Sequence, residues 1–176
     1  AKGDQPAAEM KAELGTRFKT KEEARAFLET CRNSTFTVRD VQTKPMKKSP
    51  ALPFTTSTLQ QEAARKLGFS VSQTMTIAQR LYESGQITYM RTDSTNLSDV
   101  CLNAAGKVIK ENMDPKYHHR RNIHARIKGA QEAHEAIRPT SMRRQTLTTG
   151  NVAERRLYDL IYKRTLASQM ADAQFE

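Results

Sequence analysis

The sequence predicts an α+β fold that is mostly helical. Three observations lead there. Apolar residues recur at helical spacing in several segments of ten or more residues. Glycines stand where two of those segments stop, at Gly68 and Gly85. Only two short runs, residues 35–41 and 86–91, have the β-branched and aromatic content of strands.

Residues 1–18 are polar and weakly patterned and define no element. Thr20-Lys21-Glu22-Glu23 is a capping box, with a hydroxyl at the cap and a carboxylate three positions on. It opens a helix through Ala24, Ala26, Phe27 and Leu28 to about Arg32, stopped by Asn33 and Ser34. Thr35 to Val41 follows as a strand. Residues 42–54 form a linker with Pro45, Pro50 and Pro53, and a domain boundary is expected there.

Thr56 and Ser57 are cap candidates for a helix from Leu59 to Leu67. Phe69 to Ser72 is a turn with a second cap. Residues 73–84 form the next helix, with Met75, Ile77, Ala78, Leu81 and Tyr82 on its apolar side. Gln86 to Arg91 then reads as a short strand. Helix, turn, helix, strand is the order of a winged helix-turn-helix, and also of an ordinary packed helical hairpin. Thr95 to Asp99 opens a further helix with Val100, Leu102, Ala105, Val108 and Ile109 inward. Residues 114–131 are a polar loop. Residues 152–170 make the last helix, with Leu157, Leu160, Ile161, Leu166 and Met170 inward.

The chain has 176 residues, 37% of them hydrophobic and 27% charged, enough for one core. Lys and Arg outnumber Asp and Glu by 29 to 19, a net charge of +10. Such a balance points to a polyanionic partner, most simply nucleic acid, or else to a basic surface that maintains solubility. Cys31 and Cys101 form no CxxC pair, which fits a reducing compartment. No apolar run reaches the ~20 residues of a membrane span. The chain starts without methionine, and both ends read as cuts through a larger protein.

The chemistry concentrates in Ile87-Thr88-Tyr89-Met90-Arg91-Thr92-Asp93-Ser94. On a strand, side chains alternate faces, so Tyr89 and Arg91 point one way and Thr88 and Met90 the other. A free phenol titrates near ~10 and is a poor nucleophile at neutral pH. A neighbouring guanidinium favours the phenolate and can hold a phosphate through two parallel hydrogen bonds. That pair suits attack on a phosphodiester; equally, Tyr89 could simply pack on the stem of Arg91. His134 can donate to a phosphate or serve as a structural histidine at a loop edge. Arg138 can bind a phosphate or pair with a carboxylate. Lys44, Lys47, Lys48, Arg120, Arg121, Arg126 and Lys128 are candidates for contacts to a nucleic-acid backbone, or solvated charges. His118, His119 and His124 read as part of the basic loop rather than as metal ligands.

The run Leu81 to Ser94 resembles the active-site signature of type IA DNA topoisomerases, the bacterial topoisomerase I branch above all. Pro53 to Gln61 and Gln131 to Thr140 resemble two further blocks of that family in the same order. The resemblance covers roughly residues 20–172. It implies that Tyr89 forms a covalent bond to the 5′ phosphate of a cut single strand. It implies that Arg91 orients that phosphate and that His134 bonds near the scissile position. It further implies strand passage and religation that relax negative supercoils without ATP. Bond energy is conserved in the tyrosine ester, so no nucleotide is required.

The same resemblance implies that residues 1–48 are a piece of the β-rich arch, the hinge of a toroidal enzyme. It makes residues 49–172 the helical, winged-helix-like tyrosine domain and residues 173–176 the start of a return to the arch. Type IA enzymes carry an acidic metal site in a Toprim domain. No Asp-x-Asp and no Gly-rich phosphate loop occur here. Magnesium is therefore expected outside this chain, with none bound within it, and the chain alone is expected to cleave DNA poorly. The expected partners are single-stranded and negatively supercoiled DNA and the missing Toprim and other domains, with no membrane. The expected place is the cytoplasm, at the nucleoid. The competing readings are a winged-helix DNA-binding module without covalent chemistry and a structural fragment whose basic surface docks on its own missing domains.

Overall fold

The computed structural model describes residues 11–122 and 134–175. The chain divides into two compact units, residues 1–43 and 44–176.

In the first unit, α1 (Lys21–Arg32) begins at the expected cap, Thr20, without the reciprocal bond of a full capping box. The Glu23 amide donates to Thr20 Oγ1, and Glu23 Oε2 accepts from the Lys19 amide one residue before the cap. None of its residues is buried. Its one aromatic contact is between the rings of Phe27 and Phe18, 5.2 Å apart. Residues 35–41, expected as a strand, form none. Phe36, Val38 and Val41 are exposed, and no segment among the described residues accepts or donates a ladder to this run. Composition favoured a strand, but a strand exists only by pairing.

In the second unit, three helices make the core. They are α2 (Thr56–Leu67), α3 (Val71–Glu83) and α5 (Val152–Ala167), each touching the other two, with α4 (Asp99–Asn112) against α5. Thr55 caps α2, one residue before the expected candidates, and shares reciprocal bonds with Thr58. Ser70 caps α3, and Asn151 caps α5 in a full capping box with Glu154. Gly68 and Gly85 follow their helices at φ 71° and 69°, the left-handed region where a Cβ is costly.

Leu59, Ala63, Ile77, Ala78, Leu81, Leu157 and Ile161 fill the shared interior. Two expectations on helix faces fail. Val100 is exposed and Cys101 buried, because residues 101, 102, 105, 108 and 109 form the continuous stripe of α4. Tyr82 likewise turns outward while Thr74 is buried. Tyr158 and Tyr162 are buried too, and their hydroxyls donate to the carbonyls of Arg144 and Met142, which secures the loop before α5.

The only sheet among the described residues has two strands. β1 (Met46–Lys48) and β2 (Ala173–Phe175) pair antiparallel, Met46 opposite Phe175 and Lys48 opposite Ala173. Residues 46–48 lie inside the stretch expected to be a linker.

Candidate active site

The segment carrying Tyr89 begins where α3 ends. The Gln86 amide donates to Leu81 O and the Gly85 amide to Tyr82 O, a Schellman closure that turns the chain sharply away from the helix. Residues 86–92 then follow a bent path, with bends at 86, 88, 90 and 91, and do not form the expected strand of a sheet. They meet two other segments, residues 53–55 and 136–140, and isolated bridges tie residues 136–140 to both of the others. Ile87 pairs with Pro139 and Phe54 with Ile137. The Thr88 amide donates to Arg138 O at 2.9 Å, and the Thr140 amide to Gln86 O at 3.0 Å. The Thr88 hydroxyl donates to Ala136 O at 2.7 Å and accepts from the Arg138 amide at 2.9 Å. Ile87, Met90, Phe54 and Ile137 are almost wholly buried and anchor this crossing.

The bent path buries Ile87, Met90 and Thr92 and leaves Tyr89 and Arg91 outward, which strict alternation would not do, since it would put Ile87 on the face of Tyr89. Met90 is 2% exposed, whereas Tyr89 is 45% exposed and Arg91 is also exposed. The phenol of Tyr89 is therefore reachable from solvent. Its ring meets Tyr82 edge-on, with centroids 5.2 Å apart and planes at 65°. No hydrogen bond or ion pair to another described residue holds the guanidinium of Arg91. Both groups remain available to a ligand.

Arg91 and His134 come together across an open cleft of about 560 Å³. Thr55, Thr56 and Ser57 from the start of α2 line it, with Thr92 and Asp93. Its walls thus join a helix N-terminus, where the dipole favours anions, to an arginine and a histidine. Asp93 contributes one opposing charge. Tyr89 is not among the residues lining this cleft; the structure unites two of the three candidate catalytic residues there and places the third beside Tyr82.

Behind His134 lies a polar knot. Glu135 accepts from the Ser98 amide at 2.8 Å and from Arg138 Nη2 at 2.5 Å. Burial raises the Glu135 carboxyl, but Ser98 and Arg138 outweigh that and hold it below the usual range. Arg138 also donates to Pro139 O, and its side chain is only 14% exposed. Of its two readings, the pairing with a carboxylate is the one the fold contains. Nearby Cys101 is pushed up to about 11 by burial, which keeps it a thiol at neutral pH.

Other basic candidates divide. Arg120 pairs with Asp99 and donates to Asn103. Arg121 pairs with Asp172 and donates to Met170 O. Lys44, Lys47 and Lys48 are exposed, with no ion pair to a described residue. Arg126, Lys128 and His124 lie outside the described residues. Among the described residues no group of three His, Cys, Asp or Glu side chains could hold a metal ion, and no helix is long and apolar enough to cross a membrane. Missed from the sequence were Thr56 and Thr88, whose hydroxyls fasten the tyrosine segment. Their type carries no periodic signal, and their bonding partners lie 34 to 50 residues away.

Comparison with known proteins shows the family of the chain and its fold. A family model described as DNA topoisomerase matches residues 2–176. The chain is 54% identical over 143 residues to DNA topoisomerase 1 of Zymomonas mobilis, covering 80% of this chain and 12% of that protein. It is 51% identical over 154 residues to the Streptomyces coelicolor protein of the same name, covering 85% and 16%. For that of Haemophilus influenzae the identity is 46% over 161 residues, covering 90% and 18%. The solved structure of full-length topoisomerase I from Thermotoga maritima superposes with a TM-score of 0.70 at 38% identity, over 92% of this chain and 27% of that one. The chain thus spans less than a fifth of the length of these curated relatives. With relatives this similar over most of its length, the chain belongs to the DNA topoisomerase family, in the group of bacterial topoisomerase I.

Proposed function

We propose that this chain is the tyrosine-bearing part of a type IA DNA topoisomerase, with Tyr89 as nucleophile. The observation that carries the reading is the exposure of Tyr89 and Arg91 around a buried Met90, with Arg91 opening onto the cleft that His134 shares. The Tyr89 hydroxyl gives up its proton as its oxygen bonds to a backbone phosphorus, the bond from phosphorus to the 3′ oxygen breaks, and the 3′ oxygen takes up one proton from solvent to leave as a hydroxyl, so no net proton is gained or lost. Arg91 holds the phosphate oxygens, and His134 donates a hydrogen bond beside them. Reversal by the 3′ hydroxyl reseals the strand and releases Tyr89.

The described residues do not form a site for magnesium, so no step is assigned to it in this chain. The Toprim domain, single-stranded and negatively supercoiled DNA, and a place at the nucleoid of the bacterial cytoplasm belong to the same proposal. In it, residues 1–48 are the arch piece, 49–172 the winged-helix-like tyrosine domain, and 173–176 the return to the arch. The β1–β2 pairing supports that outline, because it sets the entering and leaving ends of the second unit side by side. In DNA contact, the exposed Lys44, Lys47 and Lys48 are favoured over Arg120, Arg121 and Arg138, which have internal partners. Arg126 and Lys128 stay candidates on charge alone.

The test is covalent trapping of the full-length protein on an end-labelled single-stranded oligonucleotide. Tyr89→Phe abolishes the adduct and leaves noncovalent binding intact. An adduct on the variant removes Tyr89 from the role and favours the plain DNA-binding module.

A further inference from the structure

We infer that Thr56 is a positioning residue for Arg91, acting through its hydroxyl; the inference rests on the function proposed above and adds a residue to that site. Three hydrogen bonds run from this one residue to the segment around Arg91. The Thr56 amide donates to Thr92 O at 2.9 Å. The Thr56 hydroxyl donates to Met90 O at 2.8 Å, with Thr92 O a second acceptor at 3.1 Å. The same hydroxyl accepts from the Thr92 amide at 2.9 Å.

Met90 O and Thr92 N are the two backbone groups that flank residue 91. In a parallel sheet they would face a partner strand and be satisfied by one residue of it. Among the described residues no strand pairs on that side, and a single side-chain hydroxyl replaces the strand by serving as donor and acceptor at once. Thr56 can do this because it is the first residue of α2. First-turn amides have no partner within a helix, so its N–H is available to Thr92 O without cost to the helix. A β-branched side chain also has a restricted χ1, which holds the hydroxyl in place.

The Arg91 backbone is thereby tied to the same helix N-terminus whose residues line the cleft opposite His134. The guanidinium stays exposed while its root is fixed, which is the arrangement a phosphate anchor needs. Thr88 supplies the matching device on the other side, where its hydroxyl bridges Ala136 O and the Arg138 amide. Residues 88–92 are thus fastened at both ends by threonine hydroxyls rather than by a sheet.

The test uses a full-length topoisomerase carrying this chain, with Thr56→Val, Thr56→Ser and Tyr89→Phe. Valine keeps the shape and the backbone amide and removes only the hydroxyl bonds. Noncovalent affinity for a single-stranded oligonucleotide is read by anisotropy without magnesium, and adduct formation in single turnover at saturating DNA with magnesium. Thr56→Val slows adduct formation by about ten- to a hundredfold, the scale of a small misplacement of a reacting group, while affinity changes by less than about twofold. Thr56→Ser keeps both values close to wild type.

The inference is overturned if Thr56→Val forms adduct at the wild-type rate, if the loss lies wholly in affinity, or if Thr56→Ser is as slow as Thr56→Val. Should Thr56→Val not melt cooperatively, Thr56→Ser decides: wild-type rate supports the clamp, and a loss of about tenfold overturns it. Tyr89→Phe separates this from the parent reading. An adduct on that variant sinks the proposed function itself. No adduct there, with Thr56→Val at full rate, sinks only the role of Thr56.

Discussion

Glu135→Ala should be among the most damaging single changes near the site, although Glu135 takes no part in the proposed chemistry. Its carboxylate neutralises Arg138, whose side chain is 14% exposed and whose Nε is buried without a hydrogen-bond partner among the described residues. The same carboxylate accepts the Ser98 amide, which stands at the N-cap of α4. Removal leaves a largely buried guanidinium unpaired and an amide unsatisfied. Breaking such a pair from one side costs about 3–5 kcal/mol. Glu135 is itself 29% exposed, so water reaches the gap and the lower end, about 3 kcal/mol, is expected. For a unit of this size that corresponds to a fall in Tm of about 9–15 °C.

The assay is thermal and urea unfolding of the purified chain, with Glu135→Ala, Arg138→Ala and the double variant. The double variant should be less destabilised than the sum of the singles by about 1–3 kcal/mol, since neither charge is then stranded. The sign with pH also follows. A carboxyl held below its ordinary range contributes stability above its unfolded value near ~4.3, and that contribution is lost as pH falls through the folded value. The gap between wild type and Glu135→Ala therefore closes in acid. A Tm within about 3 °C of wild type at pH 7 would refute the reasoning and show the pair to be screened by solvent.

Two further outcomes are expected. A Cβ added at Gly106 would stand 2.6 Å from Nε2 of His118, so Gly106→Ala should cost about 1–2 kcal/mol. His118→Ala should remove that penalty in the double variant, measured by urea midpoints, and a penalty that persists would place the clash elsewhere. Glu62 is bonded by Arg65 and Lys66 and paired with Arg164, whose guanidinium lies 4.3 Å over the Phe54 ring. The Arg65 bond is the largest influence holding its carboxyl at about 2. Its contribution is whole above the ordinary 4.5 and fades between there and about 2, so the Tm difference between wild type and Glu62→Gln should narrow over that interval. A difference independent of pH would discount the ion pairs.

Local signals carried much of the architecture. The capping threonine of α1, the glycines after α2 and α3 and the apolar stripe of α5 are properties of neighbouring residues, and all appear in the fold. Tyr89 and Arg91 are exposed around a buried Met90, but Ile87 is buried as well and the segment is bent, so its path is set by tertiary bonds rather than by strand alternation. Strand content was less legible. Residues 35–41 and 86–91 have strand composition but belong to no sheet, while Met46–Lys48 and Ala173–Phe175 pair across the length of the second unit. Propensity is local, whereas pairing depends on what lies opposite.

By itself the sequence determined the family blocks, the identity of the nucleophile candidate and the order of the helices, because each is written in residue type or in short-range spacing. Only the tertiary structure decided that Arg138 pairs with Glu135, that Arg91 and His134 share a cleft, and that Tyr82 lies edge-on to Tyr89. It alone supplied Thr56 and Thr88 as partners of the tyrosine segment. Hydrogen bonds and ion pairs act over a few ångströms, and residues far apart in the chain come within that range only when the helices have packed.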